Sequence, residues 1–368
     1  MILSGEASGD EHAARLVVAL KARWPQARFL GIGGQRMKEQ GVELFAELER
    51  LSVMGLAEVI PRLPFLHRLS RRLIALLDGG DIDLVIPVDY AGFNLRIARA
   101  ARRRELPVLY YIAPKVWAWG AGRARKLAAY TSRLALILPF EVEALERAGA
   151  SATFVGHPLL DTPAREPDRE AFCLEWRLDA QRPILALLPG SRPQELRRHL
   201  SIFLDAGRRV VERSDDVQLV IARASSIPPS AFQGLDIPVV DDARSLLAHS
   251  AAALVKSGTA TLEAALEGTP FVTVYRTHPI TYAVARRLLR VDRIALPNLI
   301  AGRDVVPEVL QSHATPERLA DLLLGLLAVD CPERAEMIAG LLGVRAALGE
   351  PGASARVAGM AADLLEMS

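Results

Sequence analysis

Short aliphatic runs alternate with helix-length amphipathic segments along most of the chain, and this alternation constrains the fold more than any other feature of the sequence. Runs of this kind, bounded by turn residues, are typical of parallel strands that are buried on both faces. A repeated strand-then-helix order predicts a doubly wound α/β sheet. The runs lie at residues 27–32, 84–88, 108–112, 134–138, 184–188, 217–221, 252–255 and 271–275, with a shorter one at 1–3.

The predicted strands are numerous enough for two sheets, and 368 residues are enough for two domains. Three prolines and mixed polarity between residues 156 and 167 are typical of a linker. We therefore predict two Rossmann-like, doubly wound α/β domains facing a cleft, over residues 1–160 and 161–344. The chain beyond about residue 315 is helical, and we expect the helix at about 345–368 to pack back on the first domain. Ligands bind such sheets at the carboxyl ends of the strands.

Composition excludes several classes of protein. With 45 Lys and Arg against 43 Asp and Glu, the net charge of +2 lacks the excess that a nucleic-acid-binding protein needs. The two cysteines, Cys173 and Cys331, exclude a disulfide scaffold and favour a reducing compartment. Glu6 and Asp10 interrupt the region where a secretory signal would be apolar, and no apolar run is long enough to span a bilayer. We predict a cytoplasmic protein that contacts membranes peripherally, and the short first run indicates a natural N-terminus that extends before Met1.

The run at 184–188 leads into Pro-Gly-Ser-Arg at 189–192 and then into a helix. Backbone N–H groups and the positive end of a helix dipole attract an anion, and the Arg192 guanidinium can bind a phosphate through two hydrogen bonds. The pattern favours a phosphate site. The alternative is an ordinary strand-to-helix turn with a surface arginine.

A second turn of this kind follows the run at 252–255, where small residues again lead into a helix. N–H groups near Gly258 can face a pyrophosphate, and Glu263 can accept hydrogen bonds from a ribose diol. The alternative is a helix capped by Thr259 with Glu263 as a solvated acid. Two such turns in one domain predict a sugar-nucleotide site formed by Gly190, Ser191, Arg192, Ser257, Gly258, Thr259 and Glu263.

The glycine patterns exclude two other nucleotide-binding classes. The Gly-Ile-Gly-Gly at 31–34 lacks the third glycine of the dinucleotide fingerprint, and the segment 5–9 lacks the second. The chain has no complete phosphate-loop motif of the ATPase type. We therefore expect no dinucleotide or other cofactor.

The first domain carries candidate acceptor residues after the first strand and a candidate base after a later one. Small residues and two acids at 4–10 allow a ligand to approach closely, which places Glu6, Ser8, Gly9 and Asp10 on the acceptor side. Alternatively, Ser8 or Asp10 only caps the helix. Asp89 ends the buried run at 84–88, where partial desolvation can raise a carboxyl pKa towards that of a general base. The alternative is that Asp89 caps the helix that follows.

Metal ligation is not predicted. Asp81 and Asp83 match the D-x-D pattern of some metal-dependent glycosyltransferases, but they precede their strand and fall at the opposite end of the sheet from ligands. His12, His157 and His278 are scattered along the chain.

Aromatic and basic residues follow the run at 108–112. Trp117 and Trp119 can stack on a sugar or cover acyl chains, although a core role for at least one of them is equally open. We place Lys115 and Trp117 on the acceptor side. Arg123, Arg125 and Lys126 lie where they can meet an acceptor phosphate or form a solvated face.

An apolar stretch fringed by arginines begins at residue 54. Between residues 59 and 77 there are four arginines and no acid, a combination that favours insertion into an anionic membrane interface. The alternative is that Leu66, Leu69, Leu73 and Leu77, at helical spacing, pack inward. The predicted membrane contacts are Met54, Leu56, Val59, Ile60, Leu63, Phe65 and Leu66.

Taken together, these motifs resemble those of the lipid-A-disaccharide synthase family, from Ser4 to the final helices. The matching segments are 5–10, 53–55, 114–119, 138–141, 156–158, 189–192, 257–263 and 296–303, with Asp89, Phe93 and Asn94. The resemblance implies a glycosyltransferase B-type fold in which residues 1–160 bind the acceptor and 161–344 bind the UDP-sugar.

The resemblance also implies a reaction. It is an inverting, metal-independent transfer from UDP-2,3-diacylglucosamine to 2,3-diacylglucosamine 1-phosphate (lipid X), at the inner face of the cytoplasmic membrane. It yields a β-1′,6-linked disaccharide and UDP, with Asp89 as base and Arg192, Glu263 and Asn298 on the nucleotide side. One departure is Gly92, where relatives often carry a second acid. A second copy of the chain is a candidate partner, and a sugar-nucleotide epimerase and a non-catalytic nucleotide-binding regulator stay open as alternatives.

Overall fold

The computed structural model describes residues 1–47, 56–114, 121–162, 168–214, 216–277, 282 and 293–367, with the backbone alone at 7, 56–62 and 121. The chain divides into two compact units, Met1–Thr162 with Leu348–Ser368, and Pro163–Ala347. The first unit ends close to residue 160, where we placed the linker, and the chain returns to that unit near the expected final helix.

The first unit contains a parallel sheet with the strand order β3-β2-β1-β4-β5-β6-β7. The strands are β1 Ile2–Ser4, β2 Leu30–Gly33, β3 Glu43–Glu47, β4 Ile86–Val88, β5 Leu109–Tyr111, β6 Arg133–Leu136 and β7 Ala152–Phe154. The helices between them are α1 Ala7–Arg23, α2 Gln35–Glu39, α3 Leu56–Leu76, α4 Ala91–Arg102, α5 Ala121–Tyr130 and α6 Glu141–Glu146, followed by a 3-10 turn at Pro158–Asp161.

The second unit repeats this plan in a parallel sheet with the order β10-β9-β8-β11-β12-β13. Its strands are β8 Ile184–Leu188, β9 Gln218–Ala222, β10 Val239–Val240, β11 Ala252–Lys256, β12 Phe271–Tyr275 and β13 Glu308–Leu310. Its helices are α7 Arg169–Trp176, α8 Pro193–Arg213, α9 Ala243–Ala248, α10 Ala260–Leu266, α11 Leu296–Ala301, α12 Pro316–Leu327 and α13 Pro332–Ala347, with 3-10 turns at Pro229–Phe232 and Gln311–His313. The prediction of two doubly wound α/β domains is therefore confirmed.

Each sheet has one point where the strand order reverses, between β1 and β4 in the first and between β8 and β11 in the second. At such a point the two neighbouring loops diverge to opposite faces and leave a crevice at the carboxyl ends of the strands, where ligands of doubly wound proteins bind. Every residue of β8 and all but the last residue of β11 are buried. Each buried leucine or isoleucine contributes about 1.5–3 kcal/mol to the stability of the fold. The reversal point of the second sheet is therefore flanked by two buried strands.

The final helix, α14 (Ala353–Glu366), belongs to the first unit and packs on α1. Its N-terminus is held by the Asp161 carboxylate, which accepts hydrogen bonds from the N–H groups of Gly352 at 2.6 Å, Ala353 at 3.2 Å and Ser354 at 3.3 Å. A carboxylate at this end of a helix satisfies N–H groups that have no partner within the helix. Asp161 thus fixes the return of the chain to the first unit.

Helix α3 contains most of the apolar stretch that is fringed by arginines. One helix runs from Leu56 to Leu76 through both Pro61 and Pro64. Buried Leu69, Leu73 and Leu77 anchor its inner face, which confirms the inward-packing alternative for these residues. Within the described residues, no helix is long and apolar enough to cross a membrane.

Candidate functional site

The Pro-Gly-Ser-Arg turn follows β8 at the reversal point of the second sheet. Arg192 occupies the N-cap position of α8, and Pro193 begins the helix at the position where a missing N–H costs nothing. Gly190 has a φ of +127°, and a Cβ there would lie 2.7 Å from the Glu195 Cβ. Glycine is therefore required both by the backbone conformation and by the close approach of α8.

The Glu195 carboxylate lies against this turn. It accepts a hydrogen bond from the Ser191 N–H at 3.2 Å and from the Lys256 ammonium at 2.7 Å, and the Arg192 guanidinium is 3.5 Å away. Burial alone would raise the pKa of Glu195, but the charges of Lys256 and Arg192 and the hydrogen bonds lower it below its usual value. Glu195 is therefore ionised at neutral pH, and sequence reasoning did not identify it.

Lys256 connects the two predicted phosphate turns. It ends β11, which is hydrogen-bonded to β8, so the turns that follow these strands are neighbours. Its Nζ lies 2.7 Å from Glu195 in the first turn of α8 and 3.7 Å from the position that a Cβ on Gly258 would occupy. The Tyr275 ring centre is 5.9 Å from the same nitrogen. The ammonium therefore lies between the two turns at the edge of the sheet where a phosphate is expected.

His199 ties α8 to the end of β12. Its Nδ1 is 2.7 Å from the Glu195 carbonyl oxygen, and its Nε2 accepts a hydrogen bond from the Arg276 N–H at 3.1 Å. A carbonyl can only accept, so Nδ1 carries the proton and Nε2 is unprotonated. Burial lowers the pKa of His199, which keeps the ring neutral and both bonds intact at neutral pH.

The second turn, Ser257–Thr259, leads into the short helix α10. Thr259 occupies the N-cap position, but its side chain makes no capping hydrogen bond, so the capping alternative is wrong for this residue. The Thr261 hydroxyl donates instead to the Gly258 carbonyl at 2.7 Å, and the Thr261 N–H also donates to it at 3.0 Å. The turn is held from within, and Glu263 lies half-buried in the first turn of the helix.

Asn298, which the family resemblance places on the nucleotide side, makes four hydrogen bonds within the protein. Its Oδ1 accepts the N–H groups of Val305 at 2.7 Å and Val306 at 2.9 Å, and its Nδ2 donates to the Val306 carbonyl and to Glu308. These four bonds use the full hydrogen-bonding capacity of a primary amide. Asn298 is almost fully buried and holds α11 and the following loop, and its place on the nucleotide side stays a prediction.

Asp89 and Tyr90 stand at the reversal point of the first sheet in a strained conformation. Both residues follow β4 with φ of 49°, a left-handed backbone that non-glycine residues adopt only at a cost of about 1–3 kcal/mol each. The Asp89 carbonyl accepts hydrogen bonds from the Tyr110 hydroxyl at 2.6 Å and from Asn94 Nδ2 at 2.8 Å. Burial, with a smaller effect of Asp89, raises the pKa of Tyr110 well above its usual value, so its hydroxyl remains a donor. The surroundings of Asp89 therefore hold it in a conformation that it would not adopt alone.

The loop after β1 lies directly beside Asp89. A Cβ on Gly5 would lie 2.2 Å from the Tyr90 ring, and the Asn94 amide donates to the Leu3 carbonyl at 3.1 Å as well as to Asp89. The structure thus brings the loop that carries half-buried Glu6 next to the segment of Asp89 and Tyr90, and exposed Ser8 lies in the first turn of α1. Gly92 is exposed in the first turn of α4 with open space around it.

Asp10 serves the fold. Its carboxylate accepts hydrogen bonds from the N–H groups of Gly34 at 2.6 Å, Arg36 at 3.0 Å and Met37 at 3.3 Å. It therefore holds the N-terminus of α2 rather than that of its own helix, and it is buried. Neither the acceptor role nor the expected capping of α1 accounts for these contacts, and we remove Asp10 from the acceptor residues. Gly9 is buried, and a Cβ there would lie 2.7 Å from the Ser4 hydroxyl, so its small size serves packing.

Several of the predicted acceptor-side and membrane-contact residues lie outside the part of the chain that the structure describes. Lys115, Trp117 and Met54 fall outside the described residues, as do the side chains of Leu56, Val59 and Ile60. Of the remaining predicted membrane contacts, Leu63 is 51% exposed, while half-buried Phe65 and Leu66 pack against the core of the first unit.

Acidic residues do not converge on a metal site within the described ranges. Asp81 and Asp83 are exposed before β4, at the end of the strand opposite to Asp89. Among the described residues there is no group of three or more histidine, cysteine or acidic side chains placed to bind a metal ion.

Comparison with known proteins adds to this geometry. A family model described as lipid-A-disaccharide synthetase matches residues 1–337. A lipid-A-disaccharide synthase of Anaeromyxobacter sp. (strain K) is 43% identical over 366 residues, covering 97% of this chain and 95% of that protein. One of Myxococcus xanthus (strain DK1622) is 41% identical over 372 residues, covering 99% and 97%.

Solved structures share the fold at low sequence identity. The glycotransferase of kitacinnamycin has a TM-score of 0.64 at 15% identity, covering 99% of this chain and 98% of that chain. The UDP-GlcNAc 2-epimerase from Neisseria meningitidis bound to UDP-GlcNAc has a TM-score of 0.62 at 10% identity, covering 100% and 99%. Glycosyltransferases and epimerases therefore share this architecture, and the fold alone does not choose between them.

Proposed function

This chain belongs to the lipid-A-disaccharide synthase family, and from that membership we propose that it transfers 2,3-diacylglucosamine from UDP to lipid X. The product is a β-1′,6-linked disaccharide 1-phosphate, with UDP as the second product. The structural observation that carries the proposal most directly is Asp89, held in a strained backbone conformation at the reversal point of the first sheet. Strain of this kind concentrates at catalytic positions.

The reaction we propose is a single displacement. The 6-hydroxyl oxygen of the acceptor forms a bond to the anomeric carbon of the donor sugar, and the Asp89 carboxylate takes the hydroxyl proton. The bond between the anomeric carbon and the diphosphate oxygen breaks, and the electron pair leaves with UDP. Arg192 and the N-terminus of the 21-residue helix α8 stabilise the charge that develops on the diphosphate.

Product analysis tests this function against the epimerase alternative. Purified protein is incubated with both lipid substrates, with and without EDTA, and the products are identified by mass spectrometry. We expect a disaccharide and UDP in equal amounts in both samples. UDP without disaccharide, or an epimerised donor, contradicts the proposal, and a reaction that stops with EDTA and resumes with magnesium contradicts metal independence.

Arg192→Ala tests the nucleotide side. A charge-assisted hydrogen bond to phosphate contributes about 1.5–3 kcal/mol, so we expect UDP affinity to fall about 10–100-fold. Arg192 is half-exposed at a helix start, so the melting temperature should change little. Calorimetric titration with UDP measures the effect, and an unchanged dissociation constant removes Arg192 from the site.

We also propose that the outer face of α3 contacts the inner surface of the cytoplasmic membrane, where both lipid substrates reside. Leu63 is exposed, and Arg68, Arg71 and Arg72 are exposed on the same helix. A helix with an exposed apolar side chain and exposed arginines combines insertion with attraction to anionic headgroups. The proposal rests on Leu63 rather than on Phe65 and Leu66, because the latter pack against the core.

Leu63→Gln tests this contact. We expect co-sedimentation with vesicles of phosphatidylethanolamine and phosphatidylglycerol to fall severalfold, while UDP affinity stays unchanged. Leu174→Gln is the matched control, because Leu174 is 83% exposed on α7 of the second unit. Equal vesicle binding by the wild type and both variants contradicts the contact, and unfolding of the Leu63 variant assigns that side chain to the core.

A further inference from the structure

The Glu195–Lys256 ion pair occupies the place where the nucleotide-side residues converge. The two side chains are only 14% and 13% exposed, and they join residues that are 61 positions apart in the chain. Glu195 lies in the first turn of α8, next to the turn after β8, and Lys256 ends β11, just before the second turn. The two turns are neighbours at the reversal point of the second sheet. An ion pair this shielded from solvent is screened only weakly by salt.

The donors around Glu195 are those that a phosphate binds. Its carboxylate accepts the Ser191 N–H and the Lys256 ammonium, and the Arg192 guanidinium is adjacent. A backbone N–H at a helix start, a guanidinium and an ammonium form a typical phosphate-binding set. Glu195 thus makes, within the protein, the contacts that a diphosphate oxygen would make.

Lys256 is placed to reach a diphosphate on either turn. Its Nζ lies beside Gly258 as well as beside Glu195, so a small rotation of the side chain moves the charge from one turn towards the other. A diphosphate carries more negative charge than a single carboxylate, so at the same distance it attracts the ammonium more strongly than Glu195 does. Binding therefore favours an exchange in which the ammonium turns from the carboxylate to the phosphate.

We propose that Lys256 is a second cation of the donor diphosphate site and that Glu195 is its positioning residue, from which the ammonium transfers to a diphosphate oxygen when UDP binds. The inference rests on the proposed use of a UDP-sugar donor. It adds Lys256 to the site. It also predicts that removing the Glu195 carboxylate strengthens UDP binding, whereas removing a merely structural residue would weaken it.

Two binding measurements distinguish a role in phosphate binding from a structural role. UDP affinity is measured by calorimetric titration, and uridine affinity is measured by NMR. Lys256→Met is expected to weaken UDP binding about 10–100-fold and to leave uridine binding unchanged, because uridine has no phosphate. Glu195→Gln is expected to strengthen UDP binding on the order of tenfold, because UDP no longer competes with a carboxylate for Lys256. The double variant should bind UDP about as weakly as Lys256→Met.

The matched control is Asp321→Asn, which removes the ion pair that Arg213 makes at 2.6 Å at the opposite end of α8. It should leave UDP affinity unchanged. Weaker UDP binding by Glu195→Gln, accompanied by weaker uridine binding, shows that Glu195 only holds the turn and overturns the proposal. Unchanged UDP affinity in Lys256→Met also overturns it, and Lys256→Gln, which likewise removes the charge, replaces the methionine variant if that variant does not fold.

The two proposals fail separately. A wild-type protein that binds UDP but forms no disaccharide contradicts the proposed transfer and leaves the Lys256 assignment standing. A wild-type protein that forms the disaccharide, with variants whose UDP affinities equal its own, contradicts only the Lys256 assignment.

Discussion

Asp89→Asn is expected to lower turnover by about 10²–10⁴-fold, because it removes the carboxylate that we propose as the acceptor of the proton of the attacking hydroxyl. Asparagine has the same shape and is among the residues that best tolerate a left-handed backbone, so the φ of 49° at this position can persist. UDP affinity should stay nearly constant because the proposed nucleotide contacts lie in the second unit. The loss is measured as turnover of both lipid substrates at saturation, together with UDP titration.

Asp83→Asn is the matched control for this experiment. It makes the same chemical change at an exposed position before β4, whereas Asp89 follows that strand, and it should leave turnover unchanged. Near wild-type turnover of Asp89→Asn under chemistry-limited conditions contradicts the assignment of the base and directs attention to Glu6. A variant that loses turnover and UDP affinity together has lost its fold rather than its base.

The rival explanation for Asp89 is that it caps the following helix. The N-cap position of α4 belongs to Tyr90, one residue later, and the Tyr90 side chain makes no capping hydrogen bond. Two consecutive residues with φ of 49° are an unfavourable way to begin a helix, and they persist because Tyr110 and Asn94 hold the Asp89 carbonyl. The turnover of Asp89→Asn decides between a cap and a base, because asparagine caps a helix nearly as well as aspartate.

The sequence predicted the interior of both sheets and missed their edges. The bounds of β8 and β12 match the predicted runs, because interior strands are buried on both faces and read as continuous aliphatic segments. The four missed strands, β3, β7, β10 and β13, are the four edge strands. An edge strand has one exposed side, so its sequence, such as Glu-Leu-Phe-Ala-Glu in β3, carries no continuous aliphatic run.

Sequence reasoning identified local motifs in the candidate site better than partnerships between distant residues. The Pro-Gly-Ser-Arg turn and Asp89 are recognisable because they directly follow buried strands. The partnership of Glu195 with Lys256 joins two strand-turn-helix units, and no local pattern contains it. An acid three residues into a helix that follows such a turn is the one local feature that could have indicated Glu195.

Asp10 and Asn298 show the same limit. Asp10 was predicted from its motif and Asn298 from the family resemblance, and neither pattern distinguishes a ligand-binding residue from one that satisfies buried backbone groups. Three N–H groups of the α2 region occupy Asp10, and Val305, Val306 and Glu308 occupy Asn298. Those partners come from later segments of the chain, so only the folded structure distinguishes the two roles.

Two buried histidines of the first unit are expected to make the protein sensitive to acid. His12 lies in α1, where its Nδ1 is buried with no hydrogen-bond partner among the described residues, and His157 Nδ1 accepts the Leu159 N–H at 3.2 Å. Burial lowers the pKa of His12 to about 4. Burial, with a smaller contribution from His12, lowers the pKa of His157 to about 3. Both rings are therefore neutral at physiological pH.

The sign of the effect follows from the unfolded chain, in which a histidine has a pKa of about 6.5. Because both folded values are lower, the unfolded state binds protons first as the pH falls. The stability contributed by the neutral rings is complete above pH 6.5 and is lost as the pH falls from 6.5 towards 4 and 3. Protonation of His157 would also remove the acceptor of the Leu159 N–H, beside the turn that carries Asp161 and holds α14.

From pH 7 to pH 5 we expect the free energy of unfolding of the first unit to fall by about 2 kcal/mol per histidine, at about 1.4 kcal/mol for each pH unit below 6.5. Hydrogen exchange read by mass spectrometry, corrected for the pH dependence of intrinsic exchange, measures this loss in peptides of α1 and α14. The double variant His12→Gln, His157→Gln should be less stable than the wild type at pH 7, because glutamine packs less well there. The packing cost of the two substitutions is the same at both pH values, so it cancels when the free energies of unfolding at pH 7 and pH 5 are subtracted. The remaining difference reports titration, and in the double variant it should be much smaller than in the wild type. If the double variant loses as much stability between pH 7 and pH 5 as the wild type does, groups other than these two rings cause the acid sensitivity.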